Sequence, residues 1–295
     1  MRIQAILLSG LLAAGCATDE ANGPVLGGGE GGGGGGGGGG KADAVVPPDD
    51  PSGAHLVALD VVAGGGHSCA RLPDLTVACW GDIAAAPDGT FESIAAGRGH
   101  ACGLRTDRTL ACWGDDSSGQ ASPPAGPFLA VSAGHDHSCA LAPDYTLACW
   151  GDTDAAPAGT FLAVSAGGGH SCGLRSDYTV TCWGGGASSP DGTFEAISAG
   201  GGHSCGIRSD LTMSCWDGGA VVPGSTGTFE SLSSGADETC AIATDYTLAC
   251  AGSPSPDGTF LSISTGFTHA CAIRTDRTVA CWGDDASGQA TVPQI

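Results

Sequence analysis

The chain has 295 residues, with 53 glycines, 15 cysteines and 10 lysines and arginines against 31 acidic residues. Its net charge of −21 argues against nucleic acid and anionic lipid headgroups as partners, since both would be repelled. The same acidity serves solubility, with capture of a basic partner as the alternative role.

In chain order, Met1-Arg2 precedes an apolar run from Ile3 to Ala14, then Gly15-Cys16. The run is too short to span a membrane as a helix and reads as an export signal over residues 1–15. Ala13-Ala14-Gly15-Cys16 resembles a bacterial lipobox, with Ala at the first position in place of Leu or Val. Cys16 is then the lipid-attachment residue; the alternative is an ordinary signal peptide with a chance cysteine. No Asp follows Cys16, so retention in an inner membrane is not signalled. The expectation is an exported protein, lipid-anchored to the cell envelope at the outer membrane or cell surface. Residues 16–50 read as a linker, because the run Gly31 to Gly40 cannot build a core. Such a tether spans on the order of 30 Å root-mean-square.

Residues 51–295 read as one repeat domain. Fourteen cysteines form seven pairs, each ten positions apart: Cys69/Cys79, Cys102/Cys112, Cys139/Cys149, Cys172/Cys182, Cys205/Cys215, Cys240/Cys250 and Cys271/Cys281. Successive pairs are 31 to 37 positions apart. A repeat of that length is one supersecondary unit, so seven must stack, in a line or in a ring. In the second repeat, alternation predicts strands over Phe91–Ala95, His100–Arg105 and Thr109–Trp113. The last two are expected to form a hairpin around Thr106-Asp107-Arg108. That register pairs Arg105 with Thr109, Leu104 with Leu110 and Cys102 with Cys112. Directly opposed cysteines lie within disulfide reach, so each repeat is expected to staple its own hairpin. Export supplies the oxidising compartment this requires. The small residues flanking the first cysteine, and Trp113 across from Ala101, are placed on the opposite sheet face. Trp80, Trp150, Trp183, Trp216 and Trp282 recur at the same point; the sixth repeat has Ala251, and Glu238 where the others have His.

The string from Gly97-Arg-Gly-His-Ala-Cys through Cys112-Trp-Gly-Asp-Asp-Ser-Ser-Gly-Gln120, nearly repeated over Thr265 to Gln289, resembles the repeat of the regulator-of-chromosome-condensation family. The resemblance covers about residues 54–295. It implies an all-β fold, a seven-bladed β-propeller, and the cysteine count independently agrees on seven. Repeats this short imply mostly three-stranded blades, similar to secreted bacterial β-lactamase-inhibitor propellers of the superfamily. Cysteine stands where the family usually has an apolar residue, and the turn Asp has lost its Gly in all seven repeats. The Gly-Gln element survives only at Gly119-Gln120 and Gly288-Gln289. The family's nuclear exchange-factor activity is not carried over, because a fold does not carry a function.

His67, His100, His137, His170, His203 and His269 precede the first cysteine by two positions. A metal-binding reading competes with a structural one. Disulfides remove the thiolates, and the family uses this His structurally, so hydrogen bonding is expected. Asp115-Asp116 and Asp152-Thr-Asp154 read as solvated turns in preference to Ca²⁺ loops. No nucleophile elbow or phosphate loop stands out, and no cofactor or metal is expected. The expected function is a monomeric protein- or ligand-binding module. The alternatives are a hydrolase with carboxylates at the channel and a purely structural surface protein. The expected recognition rim is the residue after each turn Asp: Leu75, Arg108, Tyr145, Tyr178, Leu211, Tyr246 and Arg277. All three tyrosines of the chain fall there. The competing reading is a turn without positive φ whose side chains pack on the next blade.

Overall fold

The computed structural model describes residues 55–217, 227–251 and 254–294. The expected export signal, Cys16 and the linker lie outside these residues, as does the start of the repeat domain at 51–54. The described residues contain 21 strands and no helix. The strands form seven antiparallel three-stranded sheets, each consecutive in sequence. These are seven blades, spanning 60–81, 91–114, 130–151, 161–183, 194–216, 229–251 and 260–283.

Blade 2 shows how sequence builds each unit. Its strands are Phe91–Ala96, His100–Arg105 and Leu110–Gly114. The third therefore starts and ends one residue later than alternation alone predicts. Thr109 belongs to the turn: its carbonyl accepts the Arg105 amide, and the Arg105 carbonyl accepts the Arg108 amide. This is the three-residue hairpin loop with a left-handed third position. Leu104 faces Leu110, Cys102 faces Cys112 and Ala101 faces Trp113. On the sheet face opposite the disulfide, the small residue after the first cysteine makes room for an aromatic ring. A Cβ added at Gly103, Gly173 or Gly206 would come within 2.4–2.6 Å of Phe91, Phe161 or Phe194.

The same register recurs in the other blades, and each cysteine pair is joined within its own blade. The bridges are Cys69–Cys79, Cys102–Cys112, Cys139–Cys149, Cys172–Cys182, Cys205–Cys215, Cys240–Cys250 and Cys271–Cys281. Their Cα atoms are 4.0 or 4.1 Å apart, closer than the 4.5–5.5 Å or so of directly opposed residues from which the pairing is expected. The cause is the register: Arg105 and Thr109 share a backbone bond, so Cys102 and Cys112, three steps along, form a close pair without one. The two halves of a bridge also differ in burial, which the spacing alone does not show. Cys69, Cys102, Cys139, Cys172, Cys205, Cys240 and Cys271, on middle strands, are fully buried. Cys79, Cys112, Cys149, Cys182, Cys215, Cys250 and Cys281 are only half-buried, because they sit on the outermost strand of each blade, which has a neighbour on one side alone.

The blades close into a ring through backbone hydrogen bonds that run from each blade to the next. In the turn after the inner strand, the amide of one residue donates to a glycine carbonyl of the following blade. The donors are Gly65, Arg98, His135, Gly168, Gly201, Ala236 and Phe267; the last donates to Gly64 of blade 1. All seven junctions, including the one between last and first blades, are made this way. A second clasp ties the chain start to the end. Val57 bridges Thr278, the Ala58 amide donates to Arg277, and the Val279 amide donates to Leu56. Closure into a ring leaves each blade only short edges, which answers the choice between line and ring.

Candidate functional site

Each inner strand runs toward its Gly-rich turn and each middle strand runs back to its hairpin tip. The ring therefore has a tip face and, at the other end of the channel, a glycine-turn face. The two faces carry different chemistry.

On the tip face, Leu75, Arg108, Tyr145, Tyr178, Leu211, Tyr246 and Arg277 all have left-handed backbone, with φ between 65° and 69°. Non-glycine residues pay about 1–2 kcal/mol for that geometry. The geometry has a structural use. The carbonyls of Leu75, Arg108, Tyr145, Tyr178, Leu211 and Tyr246 accept the amides of Phe91, Phe128, Phe161, Phe194, Phe229 and Phe260, and Arg277 accepts Ala58. Every tip thus binds the start of the next blade's inner strand. The preceding Asp locks the turn: its carboxylate accepts the Thr amide and hydroxyl two residues on, at 3.0 and 2.6 Å for Asp107 and Thr109. All seven tip carboxylates are held below the usual Asp range, chiefly by the Thr hydroxyl bond. Arg105, Arg175, Arg208 and Arg274 lie over the rings of Phe91, Phe161, Phe194 and Phe260 at 4.7–5.2 Å.

The tip side chains divide into two groups. Arg108, Tyr145, Tyr246 and Arg277 are exposed, while Leu75, Tyr178 and Leu211 are half-buried. Leu211 packs into a cluster with Phe229 of the next blade. Packing and positive φ therefore coexist, although the sequence presents them as alternatives. Four large hydrophobic side chains are strongly exposed among the described residues: Val57 at 43%, Tyr145 at 50%, Tyr246 at 44% and Leu261 at 45%. All four lie on the tip face. Val57 and Leu261 flank inner-strand starts, a position that the cysteine and turn patterns do not single out.

Between the faces run the recurring histidines. His100, His137, His170 and His203 bond through Nε2 to Ser138, Ser171, Ser204 and Thr239 of the following blade, and His269 bonds Ser68, all at 2.7–2.8 Å. They bridge blades, as hydrogen-bonding residues should. Burial lowers their pKa, to about 4 for His67, His100, His137 and His269. The two missing rungs fall where the next blade has alanine. His67 faces Ala101 and has no partner at either ring nitrogen. In blade 6 Glu238 replaces His, and blade 7 supplies Ala270. Ala101→Ser is expected to raise stability by about 1 kcal/mol by giving His67 a partner, and Ser138→Ala to lower it by about 1–3 kcal/mol by orphaning His100. Thermal unfolding of the two variants checks both signs.

The Gly-Gln elements are structural too. The backbone carbonyls of Gln120 and Gln289 accept the indole N–H groups of Trp150 and Trp80 at 2.8 and 2.9 Å, and also the hydroxyls of Ser138 and Ser68. Blades not preceded by this element leave Trp113, Trp183, Trp216 and Trp282 without an indole partner. The Asp115-Asp116 carboxylates accept bonds from Ser117, Gln120, Ala121 and Ser122, so they shape the same loop. Glu238, Cys240 and Cys250 come within ligand distance of one another, but the two sulfurs are joined as a disulfide and offer no thiolate.

The family model described as the regulator of chromosome condensation (RCC1) repeat matches residues 91–120 and 260–289. No curated protein gives a significant match to the sequence. Among solved structures, the chain is similar to the ectodomain of the Physcomitrella patens receptor kinase CR4. That similarity has 29% identity and a TM-score of 0.68, covering 77% of this chain and 73% of that one. It is also similar to the CRINKLY WD40 ectodomain of the Arabidopsis thaliana receptor kinase ACR4, with 27% identity and a TM-score of 0.69 over 82% and 98%. Prp20p of Saccharomyces cerevisiae, at 13% identity and a TM-score of 0.57 over 67% and 73%, shares the fold. Seven blades and these likenesses agree on the fold: the chain is a seven-bladed β-propeller, two stretches of which match the regulator-of-chromosome-condensation repeat.

Proposed function

We propose that this chain is an exported, monomeric propeller, lipid-anchored through Cys16 to the cell envelope, that binds a protein partner on its tip face. The observation that carries the reading is the gathering of Val57, Tyr145, Tyr246 and Leu261, the strongly exposed large hydrophobics of the described residues, on that one face. Exposed apolar groups collected on one face of a propeller, beside Arg108 and Arg277, are the composition of a binding surface. Prp20p, which shares the fold, is described with binding properties to Gsp1p and histones. Protein binding is thus a use to which such a ring is put.

Two experiments test the reading. The partner is first isolated by affinity capture from the native envelope with the soluble propeller. A folded Tyr145→Ala, Tyr178→Ala, Tyr246→Ala variant is then expected to bind it at least tenfold more weakly, the loss of about one hot-spot residue. Undiminished affinity removes the tyrosines from the interface. Cys16→Ser is expected to move the protein from the membrane to the soluble fraction, since lipid would be its sole anchor. Unchanged membrane association refutes the anchor.

A further inference from the structure

The glycine-turn face carries a feature that the tip-face reading leaves unused. At the ring position whose amide bridges to the next blade, three blades have glycine and one has alanine. At Gly65 and Gly168 an added Cβ would meet the next blade's carbonyl oxygen at 2.1 Å. Blades 2, 3 and 7 nevertheless carry Arg98, His135 and Phe267 there. These three side chains converge. The rings of His135 and Phe267, from blades on opposite sides of the channel, have centroids 4.5 Å apart, and the Arg98 guanidinium sits 5.9 Å from the Phe267 centroid. All three line the mouth cavity of about 60 Å³, whose remaining walls are Gly, Ala, Ser and Thr.

Two polar groups in this cluster lack protein partners. Nε2 of His135 is buried and makes no hydrogen bond. Arg98 is exposed and forms no ion pair or hydrogen bond through its side chain among the described residues. Among the described residues it is also the one arginine on this face; Arg71, Arg105, Arg108, Arg175, Arg208, Arg274 and Arg277 all lie toward the tips. Carboxylates lie on the same face: Asp115 approaches Gly99, Asp136 follows His135 and, like Arg98, acts on it electrostatically, and Asp237 follows Ala236 of blade 6.

We propose that Arg98, His135 and Phe267 form a binding site for a carboxylate borne on an otherwise cationic ligand. The guanidinium fork takes the carboxylate oxygens, and His135 supplies Nε2–H as a further donor. Phe267 covers the apolar part of the ligand, and the surrounding aspartates favour its positive charges. A simple anion meets the same aspartates as repulsion, so the site selects for the mixed charge pattern. The carboxylate is that of a peptide C-terminus or of a free basic amino acid. The site lies at the other end of the channel from the tips and stands whether or not the tip face binds protein.

The test is calorimetric titration of the propeller with the peptide Gly-Lys-Lys as free acid, the same peptide as C-terminal amide, free lysine, and acetate. The free acid is expected to bind at least tenfold more tightly than the amide and than acetate. Lysine binding comparably to the peptide assigns the site to an amino acid; weaker binding assigns it to a peptide end. Arg98→Gly, a residue that three other blades carry at this position, is expected to keep the thermal midpoint and to erase the preference for acid over amide. His135→Gly is expected to weaken the free acid alone. Equal binding of acid and amide, no binding of the acid at millimolar concentration, or an acid preference that survives Arg98→Gly in a folded protein each overturn the proposal.

Discussion

Reduced and held in thiol, the propeller is expected to unfold at 25 °C. Each disulfide closes a loop of ten-residue separation and stabilises the fold by about 2–3 kcal/mol through loss of unfolded-state entropy. The seven together contribute on the order of 15–20 kcal/mol, more than the roughly 5–15 kcal/mol net stability of a typical domain. The core offers little to replace them. Much of it is alanine, glycine and serine, and a blade's large core residues reduce to at most one Phe, one Trp and a few aliphatic side chains. Far-ultraviolet circular dichroism and tryptophan emission of chain refolded in excess reductant should show no cooperative transition. Removing one bridge, as in Cys102→Ala with Cys112→Ala, should cost about 2–3 kcal/mol and leave a folded ring. A fully reduced protein that still melts cooperatively within a few degrees of the oxidised one contradicts this.

The second large effect is acid lability. His67, His100, His137 and His269 are fully buried, and burial lowers each from 6.5 to about 4. In the unfolded chain these groups take up protons near pH 6.5; in the ring they do so only near 4. Their stabilising contribution is therefore complete above pH 6.5 and is lost as pH falls through 6.5 to 4, about 3 kcal/mol for each histidine shifted this far. His170 and His203 are lowered in the same sense. Asp60 acts oppositely. Desolvation raises it to about 6, so its contribution grows as pH falls toward 4 and offsets part of the loss. The tip aspartates are depressed and matter only below the ordinary Asp range. The urea midpoint is expected to stay level from pH 9 to 7 and to fall steeply between 6.5 and 4. A His137→Gln variant should show a shallower slope in that interval, by up to one proton taken up on unfolding. A midpoint constant from pH 7 to 4.5 would show that the histidines are not neutral rungs.

Within a blade, almost everything was legible because it is local. The ten-residue cysteine spacing sets a hairpin register, and the turn Asp followed by a missing glycine marks a left-handed tip. Small residues around each cysteine mark the face where Trp must fit; the Phe rings that also pack there come from the structure. The unequal cover of the two sulfurs was not legible, since it depends on which strand ends up outermost: Cys149, Cys182 and Cys215 stay half-buried while Cys139, Cys172 and Cys205 are sealed. Between blades, the decisive contacts join residues 32 to 38 positions apart, or about 200 across the ring closure, and no period in the sequence names them. That His100 bonds Ser138 and His67 finds Ala101 follows only once blade n is known to lie against blade n+1. Only blade 6 departs in both places, with Glu238 for His before Ala270; blade 1 keeps His67, so Ala101 shows its meaning only once the neighbouring blade is known. The tip carbonyls also hold the next inner strand, which gives the strained tips a structural use that composition does not reveal. The meeting of Arg98, His135 and Phe267 depends on ring closure, which brings blades 2, 3 and 7 to one axis.

Seven self-stapled hairpins closed into one ring underlie every site described above, and peptide mapping of the oxidised protein without reduction tests them most directly. The expected result is seven cross-linked peptide pairs: Cys69–Cys79, Cys102–Cys112, Cys139–Cys149, Cys172–Cys182, Cys205–Cys215, Cys240–Cys250 and Cys271–Cys281. No bridge should join two blades, and none of these fourteen residues should carry a free thiol. A bridge between blades, or a substantial yield of free thiol at any of the fourteen positions, would contradict the hairpin register from which the ring, its tips and its channel mouth are built.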